Sequence, residues 1–162
     1  MERAVSPEYA AYYAHLQKYR DELQEALKNE RDKRQALLGS DMDRLETVLS
    51  LQQAQSMKLR SMETKRLELQ TKLGGEGTAA DFVASLSDES TRAAFAELVN
   101  EMSQLASDIK EQNALALEIA RTNLTLLEHI FPTGGFDGSK VTYGPEGERR
   151  ADRAGHSVEL KF

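Results

Sequence analysis

Apolar residues recur along most of this chain at alternating steps of three and four, the repeat of helices that pack one face against a neighbour. The first stripe is Tyr9, Tyr12, Leu16, Tyr19, Leu23 and Ala26, widened by Tyr13 and Leu27. Past Leu27 the same positions hold Glu30 and Lys33 before Leu37 and Leu38 restore apolarity, so the seam weakens through a highly charged stretch. Pro7 suits a first turn and Ser6 a cap, which places the start of this helix. Gly39 suits the left-handed position that ends a helix, and Ser40 or Asp41 can cap the next. A linker that short, about two residues, forces an antiparallel hairpin.

A second helix is predicted from Asp41 to Leu73, with the seam Leu45, Val48, Gln52, Gln55, Leu59, Met62, Arg66, Leu69 and Leu73. Its three polar members weaken apolar packing, and they either fix the register or line a groove that a partner completes. Gly74-Gly75-Glu76-Gly77 ends the hairpin; no strand precedes these glycines, so they predict a turn and not a phosphate cradle. Thr78 with Asp81 predicts a capped short helix from Ala79 to Leu86. Ser87 or Asp88 then caps the longest element, Glu89 to Phe131, whose seam is Phe95, Leu98, Met102, Leu105, Ile109, Gln112, Ala116, Ile119, Asn123, Leu126 and Ile130. Pro132 closes it.

The expected fold is all-α: an antiparallel bundle or coiled coil of three long helices with one short helix, in a single unit over residues 1–131. Residues 132–162 mix Gly, Asp, Glu, Arg and Ser and bury too little apolar area to offset their ordering entropy, so a flexible C-terminal tail is expected.

Charge narrows the partners. The net charge of -6 belongs to residues 74–131, where ten acids meet three bases, whereas the other segments are nearly balanced. A segment so acidic repels phosphate backbones, which disfavours duplex nucleic acid and favours a basic or neutral protein surface. The absence of cysteine removes disulfides and thiolate metal sites and agrees with a reducing cytoplasm. No apolar stretch of signal-peptide type opens the chain and no stretch is long enough to span a bilayer, so a soluble protein without stable membrane insertion is expected.

No arrangement of residues argues for catalysis. His15, His129 and His156 are far apart in sequence, with no helical i, i+4 pairing to hold a metal. No serine sits in a nucleophile elbow, and the carboxylates fall at solvated helix positions. Asn123-Leu124-Thr125 matches a glycosylation sequon in mid-helix, on a chain with no export signal. Neither an enzyme nor a cofactor is expected.

The order of several short motifs points to a family. A charged first helix leads to Ala36-Leu37-Leu38-Gly39-Ser40-Asp41-Met42-Asp43-Arg44-Leu45-Glu46. Lys65-Arg66-Leu67 precedes Leu73-Gly74, and Gln112-Asn113 and Asn123-Leu124 lie in the last helix. Thr142-Tyr143-Gly144-Pro145-Glu146-Gly147 stands in the tail. From Leu16 to Gly147 this order resembles the flagellar export chaperones of the FlgN type. The Tyr9, Tyr12, Tyr13 cluster and the terminal Val158-Glu159-Leu160-Lys161-Phe162 have no place in that pattern.

The resemblance implies a cytoplasmic, non-enzymatic chaperone that binds hook-associated proteins, keeps them unassembled and delivers them to the cytoplasmic domain of the export gate. Residues 1–131 would then be the chaperone domain. A client segment that is an unfolded amphipathic helix suits a helix-in-groove site. Met102, Leu105, Ile109, Ala116 and Ile119 are the candidate stripe, with core packing as the competing role for the same side chains. In the tail, Tyr143 beside Gly144 is the candidate anchor for the gate, since its ring has no core to join. Two other classes fit parts of the pattern: a coiled-coil scaffold or adaptor without chaperone activity, and a nucleic-acid-binding helical hairpin favoured only by the slightly basic second helix.

Overall fold

The computed structural model describes residues 4–130. A 3-10 turn at Pro7–Tyr9 leads into α1, Ala10–Leu38; α2 is Met42–Lys72, α3 is Ala79–Ser85 and α4 is Glu89–Ile130. The all-α bundle read from the seams is the observed fold. Its topology is set by α1, which packs against α2 on one side and α4 on the other, while α2 and α4 scarcely meet.

Side-chain pairs give the directions. Tyr12 meets Gln70, His15 meets the Met62 carbonyl and Asn29 meets Gln55, so α2 runs antiparallel to α1. Ser6 meets Thr91, Arg20 meets Glu101 and Lys33 meets Asn113, so α4 runs parallel to it. The chain therefore goes up, down and up again. Each turn between long helices sits at one pole.

The tight turn at the upper pole is a Schellman closure. Ser40 N–H donates to the Leu37 carbonyl at 3.3 Å and Asp41 N–H to the Ala36 carbonyl at 3.0 Å. The left-handed residue is Ser40, at φ 52°, and not Gly39, whose φ is -86°. Asp41 then serves twice, because its carboxylate accepts from Arg44 N–H at 3.0 Å and caps α2. The residue that restores packing near the end of α1 is buried Ala36, whereas Leu38 is exposed to solvent. A helix end has little to pack on, and the smaller side chain lets the neighbouring backbone approach.

At the lower pole the end of α2 repeats the closure, with Gly74 at φ 78° as its left-handed residue. Gly75 follows for a different reason: a Cβ there would lie 2.3 Å from the Phe82 ring. Phe82 stands on α3, which Thr78 and Asp81 cap reciprocally as their spacing predicts. The short helix lays Phe82, Val83 and Leu86 into the core beside α4.

The N-terminal tyrosines belong to this lower core. Tyr12 lies 5.3 Å from Phe82 and 5.5 Å from Phe95 between ring centroids, Tyr13 lies 5.1 Å from Phe95, and Tyr9 contacts both phenylalanines edge-on. Such pairs add roughly 0.5–1.5 kcal/mol beyond the area they bury. Ser6 does not cap its own helix. Its N–H donates to Thr91 Oγ1 at 3.0 Å and its hydroxyl to Asp88 at 3.3 Å, so the N-terminal segment is tied to the start of α4. Asp88, one of the two residues expected to cap α4, also accepts from Thr91 N–H at 2.9 Å. The Thr91 and Ser6 bonds hold its carboxyl below the usual aspartate range.

Gly74 and Gly75 are separable by substitution. Gly75→Ala drives a methyl into Phe82 and is expected to cost about 1–3 kcal/mol. Gly74→Ala meets no atom and pays only for the left-handed backbone, about 1 kcal/mol. Urea unfolding of both variants checks the order, and equal losses would show that Phe82 does not constrain the turn.

Candidate functional site

The charged residue buried deepest is Arg66, 1% exposed, and it is the first place to look for chemistry. Its Nε donates to Glu63 Oε2 at 2.9 Å and its Nη2 to Glu63 Oε1 at 2.7 Å, a two-pronged ion pair. Its Nη1 donates to Gln70 Oε1 at 2.7 Å, which also accepts the Tyr12 hydroxyl at 2.9 Å. Gln70 Nε2 in turn donates to the Gly77 carbonyl at 3.0 Å, and Tyr19 reaches Glu63 at 3.4 Å. Burial pushes the Tyr12 and Tyr19 hydroxyls upward in pKa. Burial alone would lower Arg66, but the hydrogen bonds and charge of Glu63 outweigh it and its pKa is raised. Every donor and acceptor faces another side chain or the backbone, so the cluster joins α1, α2 and the following turn and offers nothing to a substrate.

A second polar layer lies higher. Gln52 Nε2 donates to Glu30 Oε1 at 2.8 Å, Lys33 Nζ sits 2.7 Å from Glu30 Oε2, and the same Nζ donates to Asn113 Oδ1 at 2.8 Å. This relay spans α2, α1 and α4. Beside it Gln55 links Asn29 and Glu22, and Arg34 reaches Gln112 at 3.4 Å. The layer is incompletely satisfied: Arg34 Nε is buried without a hydrogen-bond partner, and Glu30 Oε2 has only its ion-pair contact with Lys33. Gln52 and Gln55 thus meet polar partners on α1, the registering role expected of polar seam positions. Lower down Arg66 reaches α1 through Gln70, whose Oε1 also accepts the Tyr12 hydroxyl.

Above this layer the helices are unequal in length. The α1 helix has 29 residues and the parallel α4 has 42. Because Arg34 stands opposite Gln112 and α1 ends at Leu38, α4 runs on alone among the described residues past about residue 117, and every residue from 120 to 130 is exposed. Its seam does not stop there. Leu126, Leu127 and Ile130 continue the face that lower down carries Phe95, Leu98 and Met102, with Leu117 and Leu124 alongside, and all five are at least 48% exposed. Leu38 and Met42, 61% and 68% exposed, crown the hairpin at the same pole. Below Met42, an open depression of about 430 Å³ on α2 is lined by Met42, Leu45 and Leu49 among polar neighbours. Large apolar side chains gathered at one end of a molecule mark an interaction surface.

The sequence-predicted stripe divides at this boundary. Met102 and Ala116 are sealed between helices, at 0% and 2% exposure. Leu105 and Ile109 are half-buried and pack against the core, and Ile119 is half-buried at the edge of the overhang. Tyr143 and Gly144, and the whole expected tail, lie outside the described residues. Sequence reasoning missed Leu117, Leu124, Leu127, Leu38, Met42 and Leu49 as surface. The available signal was the mismatch in helix lengths, since a stripe longer than its partner must emerge uncovered.

Among the described residues no group of three or more His, Asp or Glu gathers to hold a metal, and no helix is long and apolar enough to cross a membrane. The model of the family described as FlgN protein matches residues 10–151, most of the chain, and the chain belongs to that family. The match runs through the Thr142-Tyr143-Gly144-Pro145-Glu146-Gly147 segment. The family is one of flagellar export chaperones that bind flagellar proteins, and this broad role is the chain's. Comparison with curated proteins and with solved structures gives no match.

Arg66→Ala removes one partner of a buried ion pair and is expected to cost about 3–5 kcal/mol, because Glu63 would be left uncompensated. Thermal unfolding measures this. A loss below about 1 kcal/mol would show that water reaches the pair.

Proposed function

We propose that this chain is a cytoplasmic chaperone of type III flagellar export that holds hook-associated proteins unassembled and hands them to the export gate. The observation that carries the reading is the exposed end of α4, where an apolar seam continues for residues 120–130 with no helix of the described residues against it. A client segment that forms an amphipathic helix would complete that seam, docking on Leu126, Leu127 and Ile130 with Ile119 at the edge. Leu105 and Ile109 border the same face lower down, and Met102 and Ala116 support it from within. The acidity of residues 74–131 gives such a client a reason to carry basic flanks, which would speed encounter more than it would deepen affinity. Delivery would fall to Tyr143, presented by Gly144 and the residues that follow.

The carrying step is tested on surface residues. Leu127→Asp and Ile130→Asp are expected to change stability by less than about 0.5 kcal/mol and to weaken capture of a purified hook-associated protein by tenfold or more, about 1.4 kcal/mol. Leu67→Asp, an exposed leucine in the lower half of α2, serves as the control that should not matter. Capture unchanged in both α4 variants would reject the overhang as the client site. A homodimer in solution that ignores client would favour the scaffold reading.

The delivery step is tested separately. Tyr143→Ala should leave client capture intact and weaken binding to the gate's cytoplasmic domain tenfold or more, because loss of an aromatic anchor commonly costs about 2 kcal/mol. Calorimetry reads both. Unchanged gate binding would remove Tyr143 from the delivery role.

A further inference from the structure

The two halves of the bundle are closed by different chemistry. Below about residue 102 of α4, α1 turns Tyr12, Leu16, Tyr19 and Leu23 to Phe95, Leu98 and Met102, and all seven are at most 4% exposed. Above it the facing pairs are Lys33 with Asn113 and Arg34 with Gln112, and Gln52 and Gln55 face Glu30, Asn29 and Glu22 from the other side. One atom of that layer, Arg34 Nε, is buried without a partner, and Glu30 Oε2 is met only by the Lys33 ammonium. Opening this half would release Arg34 Nε to water and uncover mainly small side chains, Ala26, Ala36 and Ala116 with Leu27 and Val48, in place of an aromatic cluster. Opening the lower half would expose the aromatic cluster. The half that separates readily is therefore the one continuous with the uncovered end of α4.

We infer that the upper half of the seam between α1 and α4 is a covered extension of the client surface, and that the Gln52-Glu30-Lys33-Asn113 relay is the clasp that opens to admit the client's helix. On opening, the α1–α2 hairpin tip swings from α4 while the lower core stays closed. Ile109 and Ala116, half-buried and buried in the closed chain, then join Ile119, Leu126, Leu127 and Ile130 in one apolar face about 30 Å long. The occupant is a single amphipathic helix, because the face is a stripe of one helix and continues directly from the exposed end. Its own polar or basic side chains would take over Asn113 and Gln112, the acceptors that Lys33 and Arg34 leave. This inference rests on the reading of the overhang as the client site, but the opening itself is a property of the free chain.

The test uses the full chain. Hydrogen exchange without client should show amides of residues 26–36 and 105–118 exchanging about 100-fold faster than those of residues 12–23 and 92–102, since the upper half opens on its own. Uniform exchange across both halves would overturn the clasp regardless of whether the overhang binds client. The complementary variant replaces the clasp with apolar contacts, Glu30→Leu with Lys33→Leu, Gln52→Leu and Asn113→Leu. It should fold, slow exchange in the upper half to the rate of the lower, and weaken client capture about tenfold. Slowed exchange with capture unchanged would confine the client to the overhang and overturn the covered extension. Loss of capture in Leu127→Asp alone, with the clasp variant normal, would have the same meaning.

Discussion

A guanidinium enters a helical bundle only if each of its nitrogens finds an acceptor, and Arg66 at 1% exposure imposes that condition on everything around it. Glu63 must lie one turn back, Gln70 one turn on, and Tyr12 must arrive from α1 at the height of Gln70. Sliding α1 by a single turn would leave a buried charge or a buried hydroxyl unpaired, so one register survives. Gln70 carries the constraint past the end of α2 by holding the Gly77 carbonyl. That hold, with the close approach of Gly75 to Phe82, sets α3 and hence the start of α4. An apolar core of leucines and tyrosines would tolerate several alignments; the polar cluster within it selects one.

The upper layer uses the same residue types to a different end. Around Arg66 the polar atoms close on one another, whereas in the upper layer Arg34 Nε is left without a partner. Incomplete satisfaction at that height is consistent with a region that must exchange partners, and the incompleteness coincides with the place where the bundle passes from three helices to one. Specificity of fold and availability of surface are thereby assigned to opposite ends of the molecule.

Much of this was legible in the heptads. Helix number, the hairpin, the capping box at Thr78 and Asp81, and the polar seam positions all follow from spacing, because they are local or depend on one helix meeting one other. Less could be read where a third element decides. Ser6 has the composition of a cap for its own helix but is claimed by Thr91 and Asp88, some 85 residues away in the chain. Gly39 was the natural left-handed residue, yet the Schellman geometry placed that strain on Ser40 one position later. Met102 and Ile130 occupy equivalent positions of one stripe. Only the length of α1 makes the first core and the second surface.

The parallel course of α1 and α4 gives the molecule two unlike poles. Residues 4–6 and the start of α4 are tied together at one; the hairpin tip, the bare seam and the point where the chain continues past Ile130 lie at the other, about 40 Å away along α1. A dye, a tether to a surface or a fused reporter attached ahead of Val5 would therefore stand at the idle end. The same cargo attached after Ile130 would crowd the surface proposed for the client, so under that proposal the molecule has a handle and a working end.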